Sequence, residues 1–393
     1  MFVQKVITPF PQGEIAPQPL LPQNNTMTKP HQTYLDTRPT PPEYLTSSAE
    51  LRYTLTDTLQ TLLQQTNHTL ITPPKITPNP ETFLNSLKTH PKIYQASLSR
   101  QFAADLPPDI EQTTLKDEPK DWYIKTADFG DECDRVLQHR DGEYTQLLED
   151  IQEYHQILQQ GCDRIIVLRP PNYGAYNTLI NAAMQCLGYS LNQFQYIIIQ
   201  PIKLYAFHQP TQKIHPIPDL IPEELVKAIG MDALRWHSFH VPLTGIAPIN
   251  ITTAGQPTPT DSLYRVQSTH ARCCILLYQA HQQGIIQLNP ANNWQMTPKP
   301  LSLSELTWED ANATTLANQI QATAKVLEQS ASEIAPHLVC QHLEAICDSC
   351  DRWLKSLSLN PQNCTLLWAT KQTIFDLLEN ILGIKAPEPV PTK

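Results

Sequence analysis

Glycine is scarce in this 393-residue chain, at 11 residues against 36 prolines. A loop that wraps backbone amides around a phosphate needs several glycines close together, and no such run occurs. Long apolar stretches are also missing. The three isoleucines within Tyr196–Gln200 end far short of the ~20 residues that cross a bilayer as a helix. Positive charge is not in excess, because the formal net charge is −10. That excludes coating of a polyanion by bulk attraction and leaves room for one local basic face. Met1–Phe10 has no secretory apolar segment, and the nine cysteines are scattered and odd in number. Reduced thiols in a soluble, cytoplasmic protein without a membrane partner are the expectation. What is present is 40% apolar residues against 17% charged ones, in a chain long enough for two or three cores.

Residues 1–45 contain "TPFPQGEIAPQPLLPQNN" and "TRPTPPEY", proline-rich and aperiodic. They read as a disordered leader. In Ala49–Gln65 the leucines 51, 55, 59, 62 and 63 recur at helical spacing, and a second helix is expected around Glu81–Leu87 beyond "ITPPKITPNP". Residues 46–118 therefore read as a small, mostly helical domain. "CDRIIVLRP" (162–170) and "QFQYIIIQPIKLYAF" (193–207) are buried-strand patterns that flank the helical "YGAYNTLINAAMQCLG" (173–188). Strand, helix and strand make a crossover between parallel strands, so 119–221 is expected to hold a partial α/β sheet. Residues 222–393 are expected to be helical throughout. Apolar stripes mark helices at 261–284, near 314–331, after Pro336, and from Leu367 to Ile381. Such helices on short connections form an antiparallel bundle. The fold class is α/β plus all-α, and no internal repeat is evident.

Five blocks along this pattern carry a family likeness. The stretch from "DGEYTQLLEDIQEYHQILQQ" through "CLGY" (141–189) resembles the second half of the catalytic domain of arginyl-tRNA synthetases, and "DWYIKTADFGDECDRVL" (121–137) resembles the segment before it. "IGMDALRWHSF" (229–239) is similar to the stretch that names the DALR anticodon-binding domain. "LYRVQSTHARCCILL" (263–277) and "LLENILGIKAPE" (377–388) are similar to later helices of that domain. The blocks are colinear from about 121 to 388. The resemblance implies a class I synthetase paralogue, truncated relative to the family, with a remnant of the Rossmann-like catalytic sheet before a DALR-type bundle. It further implies tRNA, and tRNA-Arg in particular, as partner, and ATP-dependent arginine–tRNA ligase activity in the parent family.

The chemistry of that family is not matched. No His-x-Gly-His tetrapeptide occurs, and no KMSK-like loop. Where that loop falls, the chain has "AFHQPTQKIHPIPDLI" (206–221), in which Lys213 is the lone lysine. Positive groups there offset charge as pyrophosphate leaves. The resemblance also implies an arginine pocket made by a tyrosine and an aspartate four residues on. Here Asp150 stands at the aspartate position and Gln146 at the tyrosine position. A degenerate substrate pocket is expected, with a solvated helix charge as the plain alternative for Asp150. "RPPNYG" (169–174) replaces amide donors by prolines. No catalytic residue and no cofactor are assigned.

Cys347 and Cys350 form a CxxC with Cys340 and His342 nearby, but inside a patterned helix and without a second pair. Packed thiols are expected there and at Cys273–Cys274, with no metal. His270 and Arg272, together with Arg235 and Trp236, are the candidates for contact with the tRNA anticodon arm. A packed histidine, a surface arginine and a core tryptophan are the alternatives. Asp232, His237 and Ser238 lie on one helix turn and are not expected to form a triad. Three functions are carried forward. The first is a protein that binds tRNA, a synthetase or another translation protein without aminoacylating. The second is an active arginine–tRNA ligase, on its own or completed by a separate chain, and the third is a scaffold or regulator that no longer binds RNA.

Overall fold

A computed structural model describes residues 30–37, 51–52, 55–66, 68–71, 79–97, 119–208, 213–289 and 295–388. The first elements are strand β1 (His31–Asp36), helix α1 (Asp57–Gln64), β2 (His68–Leu70), α2 (Pro80–Leu87), β3 (Ile93–Ala96), β4 (Asp121–Ile124) and β5 (Arg135–Gln138). There follow α3 (Gln146–Gln159), β6 (Arg164–Arg169), α4 (Gly174–Cys186), β7 (Phe194–Ile198), β8 (Ile202–His208) and β9 (Lys213–Pro216). Next come α5 (Pro222–Ile229), α6 (Met231–Phe239), β10 (Ala247–Asn250), α7 (Ser262–Gln282), β11 (Gln287–Asn289) and β12 (Gln295–Thr297). The last are α8 (Ala311–Gln321), α9 (Thr323–Glu333), α10 (His337–Trp353), α11 (Pro361–Phe375) and a π-helical turn over Asp376–Leu382.

These elements form two compact units, one spanning 69–198 together with Pro30–Thr37, the other taking in 199 onward and the stretch up to His68 that holds α1. In the first unit a four-stranded sheet runs β2-β1-β6-β7, with β6 parallel to both β1 and β7. The expected crossover is there: α4 connects β6 to β7. Helix α3 contributes Leu147, Leu148, Ile151, Tyr154 and Ile157 to a core shared with Ile165 and Val167 of β6 and Ile180, Ala183 and Met184 of α4. A second, antiparallel sheet, β3-β4-β5, belongs to the same unit.

Three boundary expectations are corrected here. Residues 31–36 lie within the stretch read as a disordered leader, yet they form a strand whose last four residues are buried. The rest of the leader, apart from 30 and 37, lies outside the described residues. Residues 46–118 are not one helical domain. Helix α1 belongs to the second unit, while α2 and β3 belong to the first. The expected strand over 193–207 is interrupted at Pro201, which has no amide hydrogen to donate to a ladder. Beyond it β8 leaves the first sheet, pairing parallel with β10 and antiparallel with β9. The division between units therefore falls at 198/199 rather than at 221/222.

The second unit carries the bundle. Helix α7 packs on α11 and α10, and α10 packs on α8. Asp261, Asp310 and Asn360 accept backbone N–H bonds at the starts of α7, α8 and α11, which fixes where those helices begin. The helix expected near 314–331 is two, broken at Ala322. The expectation of helix throughout 222–393 also gives way to the strand β10 and the hairpin β11–β12.

Candidate functional site

In an open parallel sheet, ligands bind beyond the C-terminal ends of the strands. In the first unit those ends carry Asp36, the last residue of β1, and Arg169, the last of β6. Arg169 Nη2 donates to Asp36 Oδ2 at 2.7 Å, with side-chain exposures of 8% and 0%. Tyr154 of α3 donates its hydroxyl to the same oxygen at 2.5 Å and accepts from Arg169 Nη2 at 3.3 Å. Arg169 Nη1 donates to the Leu168 carbonyl. On β7, Tyr196 adds a phenol whose oxygen is buried with no hydrogen-bond partner. Burial pushes that phenol well above its ordinary range, and the Arg169 charge partly opposes the rise. The cluster is a buried ion pair with its hydrogen bonds made, and it ties β1, α3 and β6 together.

Asp150 lies on the same helix as Tyr154 and is 4% exposed, so it is not the solvated charge of the plain alternative. Gln146 Nε2 donates to its Oδ1 at 3.1 Å, and Tyr176 of α4 donates its hydroxyl to Oδ2 at 2.5 Å. The glutamine expected in the degenerate pocket does touch the aspartate. The aromatic hydroxyl comes instead from another helix, where no spacing in the sequence announces it. A guanidinium bound bidentately needs both carboxylate oxygens. Each already has an internal donor, so such a ligand has to share the oxygens with Gln146 and Tyr176 or displace them.

In the second unit, three of the four candidate RNA contacts are withdrawn from the surface. Arg235 is 7% exposed and grips Asp57 bidentately, Nη1–Oδ1 at 3.0 Å and Nη2–Oδ2 at 2.7 Å, with Thr58 as a further acceptor. Trp236 is fully buried and its indole N–H donates to Ser262 Oγ at 2.8 Å. Helix α6 buries Ala233, Leu234, Arg235, Trp236, Ser238 and Phe239, so it has little free face. His270 is fully buried, its Nδ1 3.2 Å from the Pro387 carbonyl oxygen. Burial, with the Lys371 charge second, pushes it down to about 4. Arg272 alone lies open, and it pairs with Asp351 at 2.9 Å. Arg265 pairs with Asp348 of the same partner helix.

Asp232, His237 and Ser238 do not assemble. Asp232 accepts from the Lys385 amide, His237 faces Asp261, and Ser238 is buried. Cys340, Cys347 and Cys350 are buried, His342 bonds Thr323 Oγ1, and Cys273 Sγ lies 3.9 Å from Cys350 Sγ. Sequence reasoning missed Arg52. Its buried guanidinium donates to the carbonyls of Gln200, Ser238, Val241, Pro242, Leu243 and Gly245, closing the loop after α6.

The DALR anticodon binding domain matches residues 266–390. The arginine–tRNA ligase of Synechococcus sp. (strain JA-3-3Ab) is 26% identical over 382 residues, covering 89% of this chain and 61% of that protein. The arginine–tRNA ligase of Oceanobacillus iheyensis is 29% identical over 275 residues, covering 68% and 47%. The chain thus spans between about half and three-fifths of the length of these relatives. Among solved structures, Thermus thermophilus arginyl-tRNA synthetase superposes with a TM-score of 0.55 at 14% identity, covering 79% of this chain and 58% of that one. The Plasmodium falciparum enzyme gives 0.56 at 12%, covering 85% and 56%. The chain shares with these synthetases the fold of a parallel sheet followed by a helical bundle. Taken together, the DALR match and the curated relatives make the chain similar to arginyl-tRNA synthetases. No helix among the described residues is long and apolar enough to cross a membrane.

Proposed function

We propose that this chain binds tRNA, of the arginine-accepting kind, through its DALR bundle and does not aminoacylate it. The observation that carries the second half is Asp150. Each of its two oxygens already accepts a bond from inside the protein, from Gln146 and Tyr176, so a substrate guanidinium has to share or displace these donors. The ion pair of Asp36 and Arg169 fills the neighbouring strand ends in the same way. The sequence also lacks both phosphate-handling motifs of the family, so no group is assigned to ATP. The first half is supported by the DALR match over 266–390. With a net charge of −10, affinity for RNA depends on local contacts and weakens with salt. A translation protein as a further partner is compatible with the same surface.

Purified chain titrated with deacylated bulk tRNA and with random RNA of equal length tests the binding half. Tighter, salt-sensitive retention of tRNA is expected, and equal retention of both RNAs ends it. AMP formation in the presence of ATP, arginine and tRNA tests the other half. Background turnover is expected. Turnover that requires both arginine and tRNA establishes an active ligase instead.

A further inference from the structure

One cluster in the bundle belongs to neither half of that proposal. His270 and Cys274 stand one turn apart on α7, both fully buried. Beyond Gly383 the chain returns to α7 and brings Glu388 to them. An imidazole nitrogen, the thiol sulfur and a carboxylate oxygen lie within 4.8 Å of one another. The Pro387 carbonyl can only accept, so His270 Nδ1 carries the hydrogen and donates to it. Nε2 is then the lone-pair nitrogen, and it is buried with no hydrogen-bond partner. A buried acceptor left unmade is costly. A ring N–H held by a backbone carbonyl is also the arrangement that orients metal-binding histidines. Lys371 holds the Glu388 carboxylate when no ion is bound: its fully buried ammonium lies 2.9 Å from Glu388 Oε1 and over the Phe375 ring.

We infer that His270, Cys274 and Glu388 form a binding site for a borderline divalent cation of the zinc type, pinning the segment after Gly383 to α7. Nitrogen, sulfur and oxygen donors together suit Zn²⁺ and Co²⁺ rather than Mg²⁺ or Ca²⁺. Cys274 binds as the thiolate, and its proton leaves to solvent. The thiolate and carboxylate then balance the two charges of the ion. The half-exposed side of Glu388, 39% open, leaves a coordination position for water. Lys371 competes with the ion for the carboxylate. The site does not depend on tRNA binding, and neither outcome below bears on that proposal. Sequence spacing did not point to it, because Glu388 lies on a different segment from the His270–Cys274 pair.

Chelator-treated, reduced full-length protein is titrated with Co²⁺ and the thiolate-to-cobalt charge-transfer band is followed. One ion per chain is expected, with competition by Zn²⁺ and a rise in melting temperature when Zn²⁺ is added. Glu388→Gln, at an open position, lowers the affinity at least about tenfold. Lys371→Met raises it by removing the competing ammonium. Cys274→Ser abolishes the band. A band of unchanged strength in Cys274→Ser places the metal on other cysteines and overturns the site. So does an affinity indifferent to Glu388→Gln and Lys371→Met, two variants that keep the test open where Cys274→Ser does not fold. Absence of any cobalt spectrum in the wild type overturns it as well.

Discussion

Arg235 and Arg272 lie in the same bundle unit and have opposite tasks. Arg235 is held inside by Asp57, and removing one partner of such a pair leaves a charge poorly compensated. Arg235→Ala is expected to cost about 3 kcal/mol in urea unfolding while leaving the RNA affinity of the folded protein unchanged. Arg272 is 46% exposed and its pair with Asp351 is a surface one, worth little to stability. Arg272→Ala is expected to leave the unfolding midpoint in place and to reduce the salt dependence of tRNA binding by about one phosphate contact. An Arg235→Ala protein that folds normally and loses tRNA contradicts this division. Asp36→Asn tests the other buried pair. It leaves Arg169 without its counter-charge at a 0% exposed position, so a loss of about 3–5 kcal/mol is expected, read by the same unfolding curves. The residue types were legible in the sequence, but their tasks were not. A helix that buries most of its face looks, in one dimension, like any short amphipathic one. The donors that engage Asp150 come in part from Tyr176, on a separate helix.

The bundle helices were legible because their signal is local. Val266, His270, Cys273 and Leu277 recur at the period of one helix, and all four are buried. Strand β1 was not legible. Its neighbour β6 lies far along the chain, as the Gln32–Asp163 bond across 131 residues shows. Prolines around it imitate a linker. The end of α11 was read as plain helix and is wider: Asp376–Leu382 forms a π-turn closed by Gly383 in the left-handed region at φ 67°. Burial there pushes the Asp376 carboxyl up to about 6, against hydrogen bonds from Gln372 and Asn380 and the Lys371 charge. A carboxyl raised above its unfolded value, about 3.9, favours the fold only while protonated. Stability is therefore lost as pH rises from about 4 to about 6 and is level above that, a change of about 2–3 kcal/mol. Asp376→Asn is expected to be more stable than the wild type at pH 7.5 and equal to it near pH 4. A difference that is the same at both pH values rules out burial of the charged form as its cause.

At the scale of the whole chain, the order of blocks was readable and the division into units was not. Five colinear stretches carry the resemblance to arginyl-tRNA synthetases without any knowledge of contacts. Which unit owns α1, or where β8 pairs, depends on long-range packing that composition does not encode. Arg52, whose carbonyl partners lie at Gln200 and between Ser238 and Gly245, is one example. In the proposed reading the bundle that matches the DALR anticodon binding domain holds RNA, and the pocket around Asp150 is occupied by Gln146 and Tyr176. The measurement that tests this most directly is retention of labelled, deacylated tRNA by the purified protein with ATP, Mg²⁺ and arginine present, the 3′ end of the retained tRNA then being scored for charging. The account predicts retention that falls with salt and a 3′ end that stays free. A charged 3′ end contradicts the occupied pocket, and retention no better than that of random RNA contradicts the binding role.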